Sequence, residues 1–304
     1  MKKWRKRILW GVGLGLAALV AAGGVMFYLS TNTPDWYRSK KLSPQAIVEL
    51  RKAAEDKLVD MQGWVQGSAA RSVRAGRPRV ATDPDAPPPT TKTITLSEDE
   101  LNAMLATWEE KLLERFGQYI ADPQMGLRDG HIIMAVRLKD ADRVLSVHIQ
   151  PKLDDQGLFI LSIDQLKVGW MTVPKALWSS YTDKLAEVLT PKVEENRTNA
   201  RLEPDGVGNE AAVASLMTRL LLRSLKDQSA DPVIFLPPDP NHLERGYPVK
   251  ITEAKVENQA LTLTLNTLTG DEQKQLLARI RAPFGEEPPP TLAAAAGGPV
   301  AKKD

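Results

Sequence analysis

The chain has 304 residues, with 40 Lys+Arg against 38 Asp+Glu and 42% hydrophobic residues. That composition suits a folded core and excludes a wholly disordered chain. The absence of cysteine excludes a disulfide scaffold, a thiolate metal site and a Cys nucleophile. The net charge of +2 hides an asymmetry. Lys2, Lys3, Arg5, Lys6 and Arg7 crowd the start, and the first acid is Asp35. The rest carries 35 basic and 38 acidic residues, a net −3.

Residues 8–29 contain no charge. At about 1.5 Å per residue they reach about 33 Å, enough for a bilayer core. The basic cluster ahead of them, at 1–7, places the N-terminus in the cytoplasm and everything after Leu29 outside. Tyr28, Trp36 and Tyr37 are expected to form an aromatic belt at the outer interface. A cleaved signal peptide competes, but it needs a shorter apolar region and a small-residue cleavage site. Here the run continues through Val25, Met26, Phe27, Tyr28 and Leu29, which favours an uncleaved anchor. Gly11 and Gly15 make a GxxxG pair that could drive helix pairing or simply pack loosely in lipid. No second run of 18 apolar residues follows, so a single-pass protein with a periplasmic or extracellular domain is expected.

Ser43-Pro44 reads as a helix start. Ile47, Leu50, Ala54, Leu58, Met61 and Val65 then form one apolar stripe over about six turns, with the helix at 43–75. The stripe serves either a self-associating stalk or packing against the main domain. Residues 76–92 carry five prolines and read as a stiff linker. Arg71, Arg74, Arg77 and Arg79 lead into it as a basic patch, which is usually a solvated face.

The folded domain is expected at 93–282. Ile94–Leu96 is a short β run, and Ser97 with Glu100 makes a capping box. Leu101, Leu105, Trp108, Leu112 and Phe116 follow on one helix face, widened by Met104 and Leu113. A period of two comes next: Ile132, Met134, Val136 and Leu138; Leu145, Val147 and Ile149; Phe159, Leu161 and Ile163; later Leu261, Leu263 and Leu265. Asp129-Gly130, Asp140–Asp142, Asp155-Gln156-Gly157 and Asn258-Gln259 mark turns. Stretches 123–138, 147–163 and 249–265 therefore read as antiparallel hairpins. Pro174 opens a second helix carrying Leu177, Trp178, Tyr181, Leu185 and Leu189, with Pro191 near its end. A third runs from about Glu210 to Lys226, and residues 231–240 hold a β run closed by prolines. The Pro/Ala/Gly-rich stretch 283–304 reads as a disordered tail. The expected architecture is α+β: one curved, mostly antiparallel sheet with its apolar face on amphipathic helices.

Catalytic chemistry is mostly absent from the pattern. There is no P-loop, GxSxG, HExxH or SxxK. The histidines are His131, His148 and His242. His131 and His148, with Asp129 or Asp142, could be imagined as a zinc site, but both alternate with apolar residues. They read as ordinary histidines on the exposed face of the sheet. No catalytic residue, metal or cofactor is expected, and the slightly acidic exposed part disfavours nucleic acid.

The order of these elements resembles the YpmS-like family of membrane-anchored extracytoplasmic proteins. The resemblance rests on ITLSEDELNAML (94–105), the Asp129-Gly130 hairpin and HIQPKLDDQGLFILSIDQLKVGWMTVP (148–174). Within it, Leu101-Asn102 and the Gly169 to Pro174 exit match, and it covers roughly 93–190. It implies no catalytic residues. The layout is also similar to tubular lipid-binding domains, whose curved sheet wraps a long helix and leaves an apolar groove. Leu105, Trp108, Leu112, Val136, Val147 and Leu161 would line such a groove or close a dry core. The first expectation is a non-enzymatic envelope protein that binds a lipid or other hydrophobic ligand. The others are an assembly scaffold working through self-association or partner contacts, and an unrecognised envelope hydrolase.

Overall fold

The computed structural model describes residues 28, 30–38, 42–74, 91–203, 206–237 and 245–287. The basic tip, most of the anchor with Gly11 and Gly15, nearly all of the linker with Arg77 and Arg79, His242 and residues 288–304 lie outside the described residues. Among the described residues no helix is long and apolar enough to cross a membrane.

The fold is α+β, with every strand pairing antiparallel. In chain order it runs α1 (Asp35–Arg38), α2 (Pro44–Arg74), β1 (Thr91–Ser97), α3 (Glu98–Phe116), β2 (Ile120–Arg128), β3 (His131–Leu138) and β4 (Arg143–Leu153). Then follow β5 (Phe159–Val168), β6 (Met171–Val173), α4 (Lys175–Arg197), α5 (Glu210–Leu225), β7 (Val233–Leu236), β8 (Tyr247–Glu257), β9 (Ala260–Thr267) and α6 (Gly270–Arg281). The strands form two sheets where one was expected. The first has the order β1-β9-β8-β7, the second β2-β3-β4-β5-β6. The 249–265 hairpin leaves its expected neighbours because β1 recruits it, with Ile94 opposite Leu263 and Leu96 opposite Leu261.

Alternation explains the first sheet. Ile94 and Leu96 are buried, while Thr93 and Thr95 face outward and meet Thr264 and Thr262 hydroxyl to hydroxyl at 3.3 and 3.1 Å. Val249, Ile251 and Leu265 complete the inner face. Ala54, Met61 and Val65 of α2 close over it. The stripe read from the sequence is thus spent inside the domain, and α2 packs as part of the core. Lys57 of α2 ties the contact by donating to the Thr95 carbonyl at 2.8 Å and to Glu100 at 2.7 Å. Burial alone would raise the Glu100 carboxyl, but bonds from Lys57 and Ser97 outweigh it and hold it below its ordinary value. Ser97 and Glu100 form the expected capping box.

Three local departures have physical causes. Pro191 lies inside α4 rather than near its end, because Val193 beyond it is fully buried against Ala186 and Leu222. Helix α6 is an addition to the expected elements, opened by Thr269 and Glu272 in a capping box identical in kind to the first. Leu276 and Ile280 of α6 join Ala212, Leu216 and Val233 in a second core.

The stretch expected as tail begins with an ordered strap. Glu287 sits between Arg219 and Arg223, its side chain 5% exposed. Arg219 also donates to the Ile280 carbonyl at 3.0 Å and to the Ala282 carbonyl. Phe284 lies under the Arg219, Arg223 and Lys226 cations at 6.0, 6.0 and 5.4 Å. Beside them, the Asp231 carboxylate meets the Arg279 guanidinium, with side chains 11% and 6% exposed. Composition alone marks this stretch as disordered; the buried arginines of α5 and α6 order its first residues.

Candidate functional site

The second sheet has two unlike faces. One carries Ile132, Met134, Val136, Leu138, Leu145, Val147, Leu166 and Val168, matched in register: Met134 opposite Val147, Val136 opposite Leu145, Val147 opposite Leu166. An extra residue in β5, at Asp164, shifts the pairing from His148–Gln165 to Ile149–Ile163 and keeps the apolar positions on this face. Beyond the shift, Leu161 stands opposite Pro151 and Phe159 opposite Leu153.

Burial changes along this face. At one end Leu127 and Phe159 are buried, and Leu153 and Leu161 pack against the core built on Val249, Ile251 and Leu265. Toward the other end Met134 is 50% exposed. Val136, Leu138, Leu145, Val147, Leu166 and Val168 are half-buried there, none of them sealed. The apolar face is closed at one end and open at the other. Five residues of strand at about 3.3 Å and three strands at about 4.8 Å make the open part roughly 16 by 14 Å. Of the expected lining, Val136 and Val147 sit diagonally on neighbouring strands of the open part, and Leu161 lies on the closed part of the same face. Leu105 of α3 is half-buried; the side chains of Trp108 and Leu112 lie outside the described residues.

The opposite face is the better covered one, against expectation. Ile133, Ala135, Val144, Ser146 and His148 are all buried. The cover is the segment expected as an aromatic belt. Tyr37, 7% exposed, packs on Ala135 and Val144 with Trp36 beside it. A Cβ on Gly126 would come within 3.2 Å of the Trp36 ring, so glycine permits that approach. The Tyr37 hydroxyl donates to the Asp122 carbonyl at 2.6 Å. Burial, with Asp122 nearby, pushes its pKa up to about 12. Tyr28 alone of the three aromatics is openly exposed, at 66%.

His148 is therefore not a surface histidine. It is 8% exposed, and its Nε2 lies 3.3 Å from the Ser146 Oγ. Burial, then Lys167 and His131, push its pKa down to about 4, with Asp164 opposing. His131 stands 6.2 Å away ring to ring, and its Nε2 contacts Asp164 at 3.2 Å. The set contains a serine, two histidines and an acid, but Asp164 orients His131 rather than the histidine beside the serine. Ser146 is 1% exposed, so no acyl substrate reaches its hydroxyl. Among the described residues no three acidic or histidine side chains converge as a metal site.

The fold keeps His148 neutral where the unfolded chain, near its ordinary 6.5, takes up a proton. Its contribution is whole above about pH 6.5 and is lost as pH falls toward about 4, up to about 3 kcal/mol. Urea melts of the wild type and of His148→Gln across pH 7 to 4 are expected to diverge, the variant losing less stability.

The protection of the second sheet's free edge was not among the sequence expectations. Asn102 of α3 donates to the Met125 carbonyl and accepts from the Met125 N–H, both at 2.8 Å, completing a strand-like pair. Glu98 accepts from the Leu127 N–H at 2.8 Å and pairs with Arg128 at 3.2 Å. Acidic and amide residues on one helix face, four apart, were the available signal. Asn102→Ala strips both Met125 groups and is expected to cost about 2–3 kcal/mol, readable as a drop in urea midpoint. A cleft of about 490 Å³ opens at this clasp, lined by Glu98, Asn102, Met125 and Arg128 together with Trp36 and Glu109. Its lining mixes acidic, amide and apolar side chains.

Comparison with known protein families, curated proteins and solved structures gives no match for this chain. What the described residues define is an antiparallel α+β domain whose second sheet has an apolar face that is half-buried at one end.

Proposed function

We propose that this is a non-enzymatic, single-pass protein of the cell envelope, anchored through residues 8–29, whose second sheet holds an acyl chain of a membrane lipid. The carrying observation is the open apolar face of β3, β4 and β5, where Met134 is half exposed and no neighbour is sealed. Contiguous apolar surface that water partly reaches is a common mark of an interaction site. Each CH₂ it takes from water contributes about 0.8 kcal/mol, so a single chain supplies ample affinity. The resemblance to the YpmS-like family and the charge-free span with its basic flank support the same reading. The N-terminus then lies in the cytoplasm and the domain on the outer side. A scaffold working through a free α2 stripe has less support, since Ala54, Met61 and Val65 are in the core.

Native mass spectrometry of the full chain, purified in mild detergent, tests the reading. Discrete lipid adducts that leave only on collisional activation are expected. A bare chain at every detergent level would overturn it.

A further inference from the structure

The open end of the apolar trough is also the end at which Tyr37, a few residues past the proposed membrane segment, docks on the sheet. Three connections meet there. The Lys139 N–H donates to the Tyr119 carbonyl at 2.9 Å, joining the β2 entrance to the β3–β4 turn. The Gly169 N–H donates to the Val144 carbonyl at 2.7 Å, bringing the β5–β6 turn alongside. Tyr37 docks at the same end, on Val144 and on Asp122. Tyr37 is eight positions past Leu29, a reach of at most about 28 Å fully extended.

That end carries exposed aromatic rings. Tyr119 is 57%, Trp170 51% and Phe116 44% exposed. Aromatic residues with an apolar body and a polar edge prefer the headgroup zone of a bilayer. The charges among them cancel. Lys139 and Arg143 stand against Asp140 and Asp142, and Arg137 pairs with Asp122 at 2.6 Å and Asp142 at 3.4 Å. A balanced rim gains nothing from anionic lipid, so the surface suits the headgroup zone of a zwitterionic leaflet.

We infer that the strand ends bearing Tyr119 and Trp170 form a membrane-contacting rim, held against the outer leaflet by the docked segment 30–38, with the trough mouth facing the lipid. This rests on the proposed anchor and trough. The residues 30–38 then act as a rigid strut rather than a loose tether. Chains would pass between leaflet and trough without crossing water.

The natural sequence has no cysteine, so single labels can be placed without background. Tyr119→Cys, Trp170→Cys and Asp155→Cys, the last in the β4–β5 turn at the closed end, are made in the full chain. Each is spin-labelled and reconstituted into phosphatidylcholine vesicles. Labels at 119 and 170 are expected to collide with oxygen several-fold more, relative to a water-soluble nickel chelate, than the label at 155. Equal, water-like accessibility at all three sites would overturn the rim. As a second readout on native side chains, brominated phosphatidylcholine should quench wild-type fluorescence more than that of Trp170→Phe; equal quenching counts against the rim. Lipid adducts without rim contact would leave the trough standing and remove only this inference. Rim contact without adducts would do the reverse.

Discussion

Asp231→Ala is expected to destabilise the domain by about 3–5 kcal/mol, because it leaves a guanidinium buried without its partner. Arg279 is only 6% exposed at its side chain and faces Asp231 directly. Arg219 and Arg223 lie close by, with Glu287 as the other carboxylate. Removing Asp231 leaves three guanidinium groups around one acid. The wild-type pair is itself a compromise. Burial raises the Asp231 pKa despite Arg279, and burial lowers the Arg279 pKa despite Asp231. Desolvation thus outweighs attraction on both sides. The double variant Asp231→Leu with Arg279→Met is accordingly expected to recover most of the loss, since it removes both charges together. Denaturant melts of the single and double variants check this. A single variant as stable as wild type would contradict the buried pair.

The second large effect concerns function rather than stability. Val147→Glu places a carboxylate in the middle of the open face, beside Met134 and Leu166. Val147 is half-buried, so the free protein can keep that carboxylate hydrated, and stability is expected to fall by less than about 1 kcal/mol. A bound acyl chain would bury it without a partner, and lipid retention is expected to drop at least about tenfold. The pairing of effects is the discriminating feature. On a sealed core the same substitution would unfold the domain. On an inert surface it would change neither quantity.

Local pattern made much of the fold legible. Period-two alternation with Asp-Gly, Asp-Gln-Gly and Asn-Gln turns marked the three hairpins, and Ser97 with Glu100 marked the start of α3. What stayed hidden is non-local. The partner of β1 is β9, about 170 residues away, and nothing in either strand names the other. Alternation also identified the apolar face of the second sheet correctly but not which face would be covered. The more polar face, with Ser146 and His148, is buried because Trp36 and Tyr37 fold back onto it. Those aromatics, read as a membrane belt, carry no mark in sequence that separates lipid from a protein surface as their neighbour. The edge clasp by Asn102 and Glu98 is tertiary chemistry between a helix and a strand more than 20 residues apart, visible only once both are placed.

The trough claim is most directly tested by photo-cross-linking with a phosphatidylcholine that carries a diazirine in its acyl chain. The full chain in vesicles is irradiated, digested and mapped by mass spectrometry. Acyl cross-links are predicted on peptides containing Met134–Leu138 and Leu145–Val147, and they should weaken in Val147→Glu. Cross-links confined to residues 8–29, with none on the strands, would contradict the account.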